Sequence, residues 1–285
     1  ARVAQVAPHL DRSVNDSLHL DRQANLLPLW TLATDGARPD DPERHLCELA
    51  GIDPRELAFH DILTFPTERP ARFGRHDEFL ASSRLDNLSS VHAALVALEA
   101  LAREGSEPDE PVVMIANDHE EVGSATRSGA GGPLLETVLG RLSGLLGVAG
   151  DARAAMLARS ICVSADAGHA VHPGHPQLHD PAVRPALNRG LLVKINAQQR
   201  YATDAVGTAV WLRACAAADV PVQDFVSNNA VPCGTTIGPI TAARLGITTV
   251  DIGQPLLSMH SQREMCGVAD GLWMARAMRA FWLGA

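Results

Sequence analysis

Val112-Val113-Met114-Ile115-Ala116 runs without a break into Asn117-Asp118-His119-Glu120-Glu121-Val122-Gly123-Ser124. Five apolar residues bounded by polar ones have the length and β-branched content of a buried strand, and the polar stretch gathers ionisable groups where such a strand would end. Runs at 161–165, 191–195 and 248–252 share the pattern, and each stops at a polar cluster. Helical spacing follows at 134–146, 205–218, 240–245 and 264–281. Strands alternating with helices predict an α/β layer fold with a largely parallel sheet. In such sheets ligands sit beyond the carboxyl ends of the strands, so the residues just after these runs are the first candidates for chemistry.

Working outward, Leu88, Val91, Leu95, Leu98 and Leu101 recur every three or four residues. They predict a helix that begins just after Asp86-Asn87, with Ser89 and Ser90 as capping candidates, and that stops at Gly105 and Pro108. Residues 1–78 differ in texture: they are rich in proline, acids and Arg, with short apolar pieces such as 25–32 and one helical pattern near 42–49. They read as an accessory region ahead of a catalytic half at 79–285.

A chain of 285 residues, 46% hydrophobic and 20% charged, buries a full core without covalent staples. Its 24 Lys and Arg against 33 Asp and Glu, a net charge of -9, offer no basic surface for nucleic acid and no polybasic membrane anchor. The longest uncharged run, 225–243, contains Asn228, Asn229, Pro232, Pro239 and three threonines, so it is not a membrane span. Five cysteines (Cys47, Cys162, Cys215, Cys233 and Cys266) form no C-x-x-C pair, which argues against a disulfide framework or a thiolate metal site and favours a reducing, cytoplasmic setting. No apolar signal core lies in the first twenty residues, and the chain opens on Ala1 rather than Met, so a missing N-terminal part is expected.

The adjacent Glu120 and Glu121 carry the sharpest chemical suggestion. On an extended backbone they point opposite ways, so one can bind a metal while the other faces a water on it. A bare Glu-Glu pair is more often a solvated acidic turn, but other strand ends shift the balance. Residues 161–165 lead to Asp166, with His169, His172 and His175 close behind; residues 248–252 are followed by Ser258-Met259-His260-Ser261; and Asp86 stands just ahead of a helix. Carboxylates mixed with His and without Cys suit a pair of zinc, manganese or cobalt ions roughly 3.5–4 Å apart, bridged by one carboxylate.

Of the 24 basic residues only Lys194 is a lysine, and Tyr201 is the single tyrosine. A compact ammonium on a buried strand can pair with an acidic group where a guanidinium fork would not fit, and an acidic substrate side chain entering a partly desolvated pocket needs a cation. Lys194 is therefore a candidate substrate-binding residue, with Tyr201 shaping its pocket. The plainer alternative is a Lys snorkelling from an edge strand.

Arg84-Leu85-Asp86-Asn87-Leu88, Asp118-His119-Glu120-Glu121-Val122-Gly123-Ser124, Ser164-Ala165-Asp166 with His169-Ala170-Val171-His172-Pro173, and Ser258-Met259-His260-Ser261 with Arg263-Glu264 resemble the aspartyl aminopeptidases. These are di-zinc enzymes that remove N-terminal Asp or Glu from peptides. The likeness keeps consistent order from Val3 to about Asp270, through Lys194-Ile195-Asn196, Gln199-Arg200-Tyr201-Ala202-Thr203 and Pro232-Cys233-Gly234-Thr235-Thr236-Ile237-Gly238-Pro239. It implies a three-layer zinc-peptidase α/β fold with a largely parallel central sheet. Residues 1–78 would be the C-terminal part of an inserted β-rich dimerisation or lid domain, and 79–285 the main part of the catalytic domain.

The resemblance further implies that Asp86 bridges two divalent ions, most often zinc, with Glu121 and His260 completing one site, Asp166 belonging to the other, and Glu120 acting as general base. His9, within Ala7-Pro8-His9-Leu10-Asp11-Arg12, resembles a segment whose His reaches across a dimer interface into the partner's active site. The family forms large closed homo-oligomers that admit short peptides. In the family a His-x-Asp motif upstream completes the second ion site; the histidines that precede Asp86 here, His9, His19, His45, His60 and His76, lie in other contexts. Two alternatives stand beside the acidic aminopeptidase: a truncated or metal-deficient homologue with a structural or binding role in the oligomer, and a related di-metal aminopeptidase of different residue preference.

Overall fold

Leu191, Leu192, Val193, Val250 and Ile252 are almost wholly shielded from water, and the sheet that carries them organises the larger part of the chain. The computed structural model describes residues 2–3, 6–7, 9–10, 12–13, 16–32 and 42–285. The chain divides into two units, Ala1–Thr67 and Glu68–Ala285.

In the first unit β1 (Arg2–Val3) pairs antiparallel with β2 (Pro28–Leu29), and a short helix α1 (Arg22–Asn25) starts where the Asp21 side chain accepts the Gln23 and Ala24 N–H groups. The helix expected near 42–49 is α2 (Pro42–Ala50), which buries Cys47. A single 3-10 turn, Pro54–Glu56, follows, closed by a reciprocal cap between Asp53 and Glu56.

The second unit contains β3 (Ala71–Phe73), β4 (Phe79–Ser82), α3 (Leu85–Glu104), α4 (Leu134–Leu145), α5 (Gly150–Arg159), β5 (Ile161–Ala165), β6 (Gly168–His169), β7 (Leu191–Lys194), α6 (Ala205–Ala217), β8 (Val222–Phe225), α7 (Gly238–Leu245), β9 (Thr248–Gly253), β10 (Pro255–Leu257), β11 (Glu264–Gly267) and α8 (Val268–Trp282). Two sheets form, ordered β5-β9-β7-β8 and β3-β4-β11-β10-β6. Because β3 pairs with β4, residues 68–78 belong with the second unit rather than ahead of the boundary read at 78/79.

Side chains of β9 alternate between faces. Val250 and Ile252 join a core with Leu191, Val193, Trp211 of α6, Met274 and Met278 of α8, and the small residues Ala93, Ala94 and Ala97 of α3. Asp251 points the other way, towards the α7 start, where Gly238 leaves room for its carboxylate. Helices α3, α6 and α8 thus cover one face and α7 the other, a mixed α/β layering. Pairings β5–β9 and β7–β8 are parallel, whereas β7–β9 is antiparallel, so the central sheet is mixed.

The structure departs from the sequence reading at identifiable places. Residues 112–116 are not a strand: Met114 packs on the core, yet the segment has no ladder partner among the described residues, and apolar patterning alone does not specify a partner. The pattern at 264–281 splits into β11 and α8, because 264–267 pair on both sides, with β4 and β10. Neither serine caps α3: Ser89 Oγ donates to the Leu85 carbonyl at 2.6 Å, and Ser90 is buried on the packed face. Arg84, left-handed with φ 58, opens the helix, and Asp86 and Asn87 keep non-helical angles, so regular helix begins after Asn87 as expected.

The two sheets share chain at a seam. The parallel pair β5–β9 ends at Ala165 opposite Ile252, and the chains continue as the parallel pair β6–β10, Gly168 opposite Pro255. The Asp166, Gly168 and Ala170 N–H groups donate in turn to the Ile252, Gln254 and Leu256 carbonyls at 2.8–2.9 Å. Asp166 therefore sits where one sheet hands over to the other. A side chain on Gly253 would collide with the Asp166 carbonyl, so glycine permits this close approach.

Candidate metal centre

Strand β4 runs towards Asp86 and β11 starts just after His260. Their antiparallel register sets Ser82 opposite Glu264, so both loops leave the same end of one strand pair. His260 adopts a left-handed φ of 63, a conformation that disfavours non-glycine residues unless neighbours hold it. The buried Glu264 carboxylate lies behind both loops: Oε2 accepts the Asp86 N–H at 3.0 Å and Oε1 accepts the His260 N–H at 2.7 Å. On the open side, His260 Nε2 is 3.1 Å from Asp86 Oδ2 and 3.2 Å from Glu121 Oε2. One donor atom from each of Asp86, Glu121 and His260 lies within 4.8 Å of the others.

Glu120 and Glu121 stand in a single 3-10 turn, Glu120–Val122, rather than on extended backbone. Successive side chains in such a turn still diverge, by about 120°, so the two carboxylates separate as anticipated but for a different reason. The turn is entered through His119 in the left-handed region at φ 60 and closed by the Ser124 N–H donating to the His119 carbonyl at 2.9 Å.

Lys194 ends β7, an interior strand, and only 2% of it is exposed, which excludes the snorkelling alternative. Its Nζ lies 3.5 Å from Asp166 Oδ2 and 5.4 Å from the Tyr201 ring centre. The Tyr201 hydroxyl accepts from the Cys233 thiol at 3.6 Å, and that sulfur accepts from Ser227 Oγ at 3.1 Å. Burial, and then the Cys233 bond, push the Tyr201 phenol well above its ordinary value. Sequence reasoning did not assign Glu264, Cys233 or Ser227 a part here; Glu264 and Cys233 lie within stretches that carry the resemblance, but a motif does not reveal side-chain direction.

Burial, followed by the neighbouring Asp166 and Glu121 charges, raises the Asp86 carboxyl to about 8, with Lys194 opposing the rise. Asp166 acts on the Asp86 carboxyl, so Asp86 is tied both to the Glu121–His260 group and to the Asp166–Lys194 pair. Glu120 is raised by burial, then by Asp166 and Glu121. His169 is lowered by burial and then by Lys194. Oxygen-rich donors with one imidazole and too much negative charge for one ammonium to balance fit a divalent cation such as zinc. His172 and His175 instead pack against each other in the loop after β6, ring centres 5.0 Å apart and planes tilted by 40°. His9 lies in the first unit, exposed, and the cluster is built from the second unit alone; Pro8 and Asp11 beside it fall outside the described residues.

The profile of a protein family described as Aminopeptidase I zinc metalloprotease (M18) matches residues 1–282. The chain belongs to the M18 family. It is 48% identical to a probable M18 family aminopeptidase 2 of Streptomyces coelicolor over 98% of this chain and 65% of that protein. A probable M18 family aminopeptidase 2 of Pseudomonas aeruginosa is 40% identical over 99% of this chain and 64% of its own length. The chain thus spans a little under two thirds of these relatives. Among solved structures, the cryo-EM structure of the Ape4 and Nbr1 complex superposes with a TM-score of 0.88 at 34% identity, covering 99% of this chain and 57% of that one. The mApe1 dodecamer of S. cerevisiae gives 0.72 at 30% identity, covering 85% and 55%. An M18 aminopeptidase from Thermotoga maritima, at 22% identity and a TM-score of 0.84, shares the fold over 99% of this chain and 64% of its own.

The Asp86 shift has a definite sign. Its carboxyl binds a proton more tightly folded than unfolded, so in metal-free protein its contribution to stability is lost as pH rises from about 4 towards 8. A cation needs the ionised form, so apparent zinc affinity should climb with pH and level off near 8, with proton release on binding. Calorimetric zinc titrations across this range, in buffers of different ionisation enthalpy, check both; Asp86→Asn should flatten the pH dependence that remains.

Proposed function

We propose that the intact protein is a metallo-aminopeptidase that removes N-terminal Asp or Glu from short peptides, working in the cytoplasm as a large homo-oligomer. The observation that carries this reading is the meeting of Asp86, Glu121 and His260 within one donor-sized cluster, with Glu120 beside it and Asp166 paired to a buried Lys194. Membership of the M18 family supports the hydrolase class, and the dodecamer among the structural relatives supports self-association. Five free cysteines accord with a reducing compartment, and no helix among the described residues is long and apolar enough to cross a membrane.

In this reading Asp86, Glu121, His260 and Asp166 would together hold two divalent ions. When bound, the ions lower the pKa of a water and polarise the scissile carbonyl. Glu120, its proton affinity already raised by burial and by Asp166, takes the water's proton on a carboxylate oxygen and delivers it to the leaving amine nitrogen. Lys194 and Tyr201 form the wall that favours an acidic first side chain. His9 donates an imidazole N–H from a neighbouring subunit to the carbonyl oxygen as charge builds there. The first unit, as part of an inserted domain, carries the dimer contact that brings it.

Glu120→Gln in the intact protein should lower turnover by about 10²- to 10⁴-fold while metal content stays normal. Loss of metal instead would exchange the roles of Glu120 and Glu121, and metal content of the unaltered protein separates this reading from a metal-deficient homologue.

Lys194→Ala should depress turnover of N-terminal Asp substrates far more than that of N-terminal Ala ones in a panel differing only at the first residue. Equal losses would assign Lys194 to holding Asp166 alone.

Co-assembly of His9→Ala with Glu120→Gln, each inactive by itself, should restore part of the activity, because some mixed interfaces unite an intact Glu120 with an intact His9. Absence of recovery in oligomers shown by mass to be mixed would remove His9 from catalysis in trans.

A further inference from the structure

We infer that Glu264 is a positioning residue that sets the separation of Asp86 and His260, a role that rests on the proposed ion-binding function of those two side chains. Its carboxylate is 2% exposed and lies at the first position of β11, opposite Ser82 at the end of β4. From that corner its two oxygens divide between the two loops, one taking the Asp86 N–H at 3.0 Å and the other the His260 N–H at 2.7 Å. The residues so joined are 174 apart in sequence, and their side chains meet at 3.1 Å.

Three features make this more than a satisfied buried acid. Among the described residues the Glu264 carboxylate has no Lys, Arg or His partner; the adjacent Arg263 turns instead to Glu68 and the Arg69 carbonyl. A buried carboxylate without a cation persists only where its hydrogen bonds are strong, and charge-assisted bonds from backbone N–H groups are of that kind. His260 is held at φ 63, away from the angles a non-glycine residue prefers, and the Glu264 bond to its N–H fixes that backbone where the ring must point at Asp86. Asp86 likewise keeps extended, non-helical angles inside the first turn of α3, with its N–H turned to Glu264 rather than into the helix. A single carboxylate thus orients two candidate ligands without touching an ion or a substrate.

An amide at this position has one acceptor oxygen and one donor nitrogen, so Glu264→Gln keeps the shape and sets an NH2 against one of the two N–H groups. Aspartate keeps the charge but is one methylene short of spanning both loops. The intact protein is stripped of metal and titrated with zinc against a chromophoric chelator, and with cobalt followed by its visible absorption. Circular dichroism sets the folded fraction over which affinity is counted. Glu264→Gln and Glu264→Asp should each weaken zinc about 10- to 100-fold and shift the cobalt bands, since the ligand geometry is altered in molecules that remain folded. Affinity and cobalt spectrum equal to those of the unaltered protein in either folded variant, even with a lower unfolding temperature, would make Glu264 merely structural and overturn the inference. Asp86→Asn and His260→Ala serve as controls. If they weaken zinc while the Glu264 variants do not, only the positioning role fails; if they too bind zinc normally, the ion-site reading fails with it.

Discussion

Carboxylates that converge in a partly buried space repel one another, and the M18 chain brings at least Asp86, Glu121 and Asp166 together with Glu120 close by. Burial makes each charge harder to keep, and each neighbour makes the next harder still. Lys194 supplies one positive charge against this, through Asp166. Left alone, the cluster answers by holding protons, as the elevated Asp86 carboxyl shows. A site of this kind is stable as a site only if the backbone around it is fixed firmly enough that side chains cannot swing apart to relieve the repulsion.

The fold provides that firmness from two directions. Asp166 is locked at the seam where β5 and β9 pass into β6 and β10, its N–H bonded to Ile252 and its carbonyl pressed against Gly253. Asp86 and His260 are held from the β4–β11 end by Glu264. Left-handed residues mark three of the entries: Arg84 just ahead of Asp86, His119 just ahead of Glu120, and His260 itself. Each carries a conformational cost of order 1–3 kcal/mol, which the packed sheets behind them offset. Stiffness at the margins and accumulated negative charge at the centre are two sides of one arrangement.

Much of this was legible in the sequence, for reasons that differ by element. The strands at 191–194 and 248–253 are short runs shielded on both faces, where composition suffices, and 161–165 keeps the same apolar pattern at partial burial. Glu121, Asp166 and His260 stood out as carboxylates and imidazole beyond expected strand ends, and Asp86 as a carboxylate ahead of a helix; the structure gathers Asp86, Glu121 and His260, with Asp166 acting on Asp86. The segment 112–116 has the same composition as the true strands but no partner, and pairing is a property of two segments. The sheet that carries Asp86 and His260 was missed altogether, since β3, β4, β10 and β11 span only three or four residues each and leave no periodic trace. Glu264 was invisible for a related reason: a residue that acts by accepting two backbone N–H groups leaves no pattern in side-chain chemistry.

The one lysine that the chain retains finds its physical explanation in the same place. At 2% exposure, between β9 and β8, with the Tyr201 ring at 5.4 Å and Asp166 at 3.5 Å, the space around Nζ is closed. A guanidinium would bring five N–H donors, of which Asp166 and an aromatic face satisfy few. An ammonium has three donors on a single compact centre. A chain with Arg at every other basic position keeps Lys where burial, rather than charge, forbids the exchange. The Tyr201 phenol follows the same logic, since its buried hydroxyl is met by Cys233, a contact that a phenylalanine would leave the thiol without. The two rarest residues of the sequence thus stand side by side for different reasons, the ammonium for its compact fit beside Asp166 and the phenol for its hydrogen bond with Cys233.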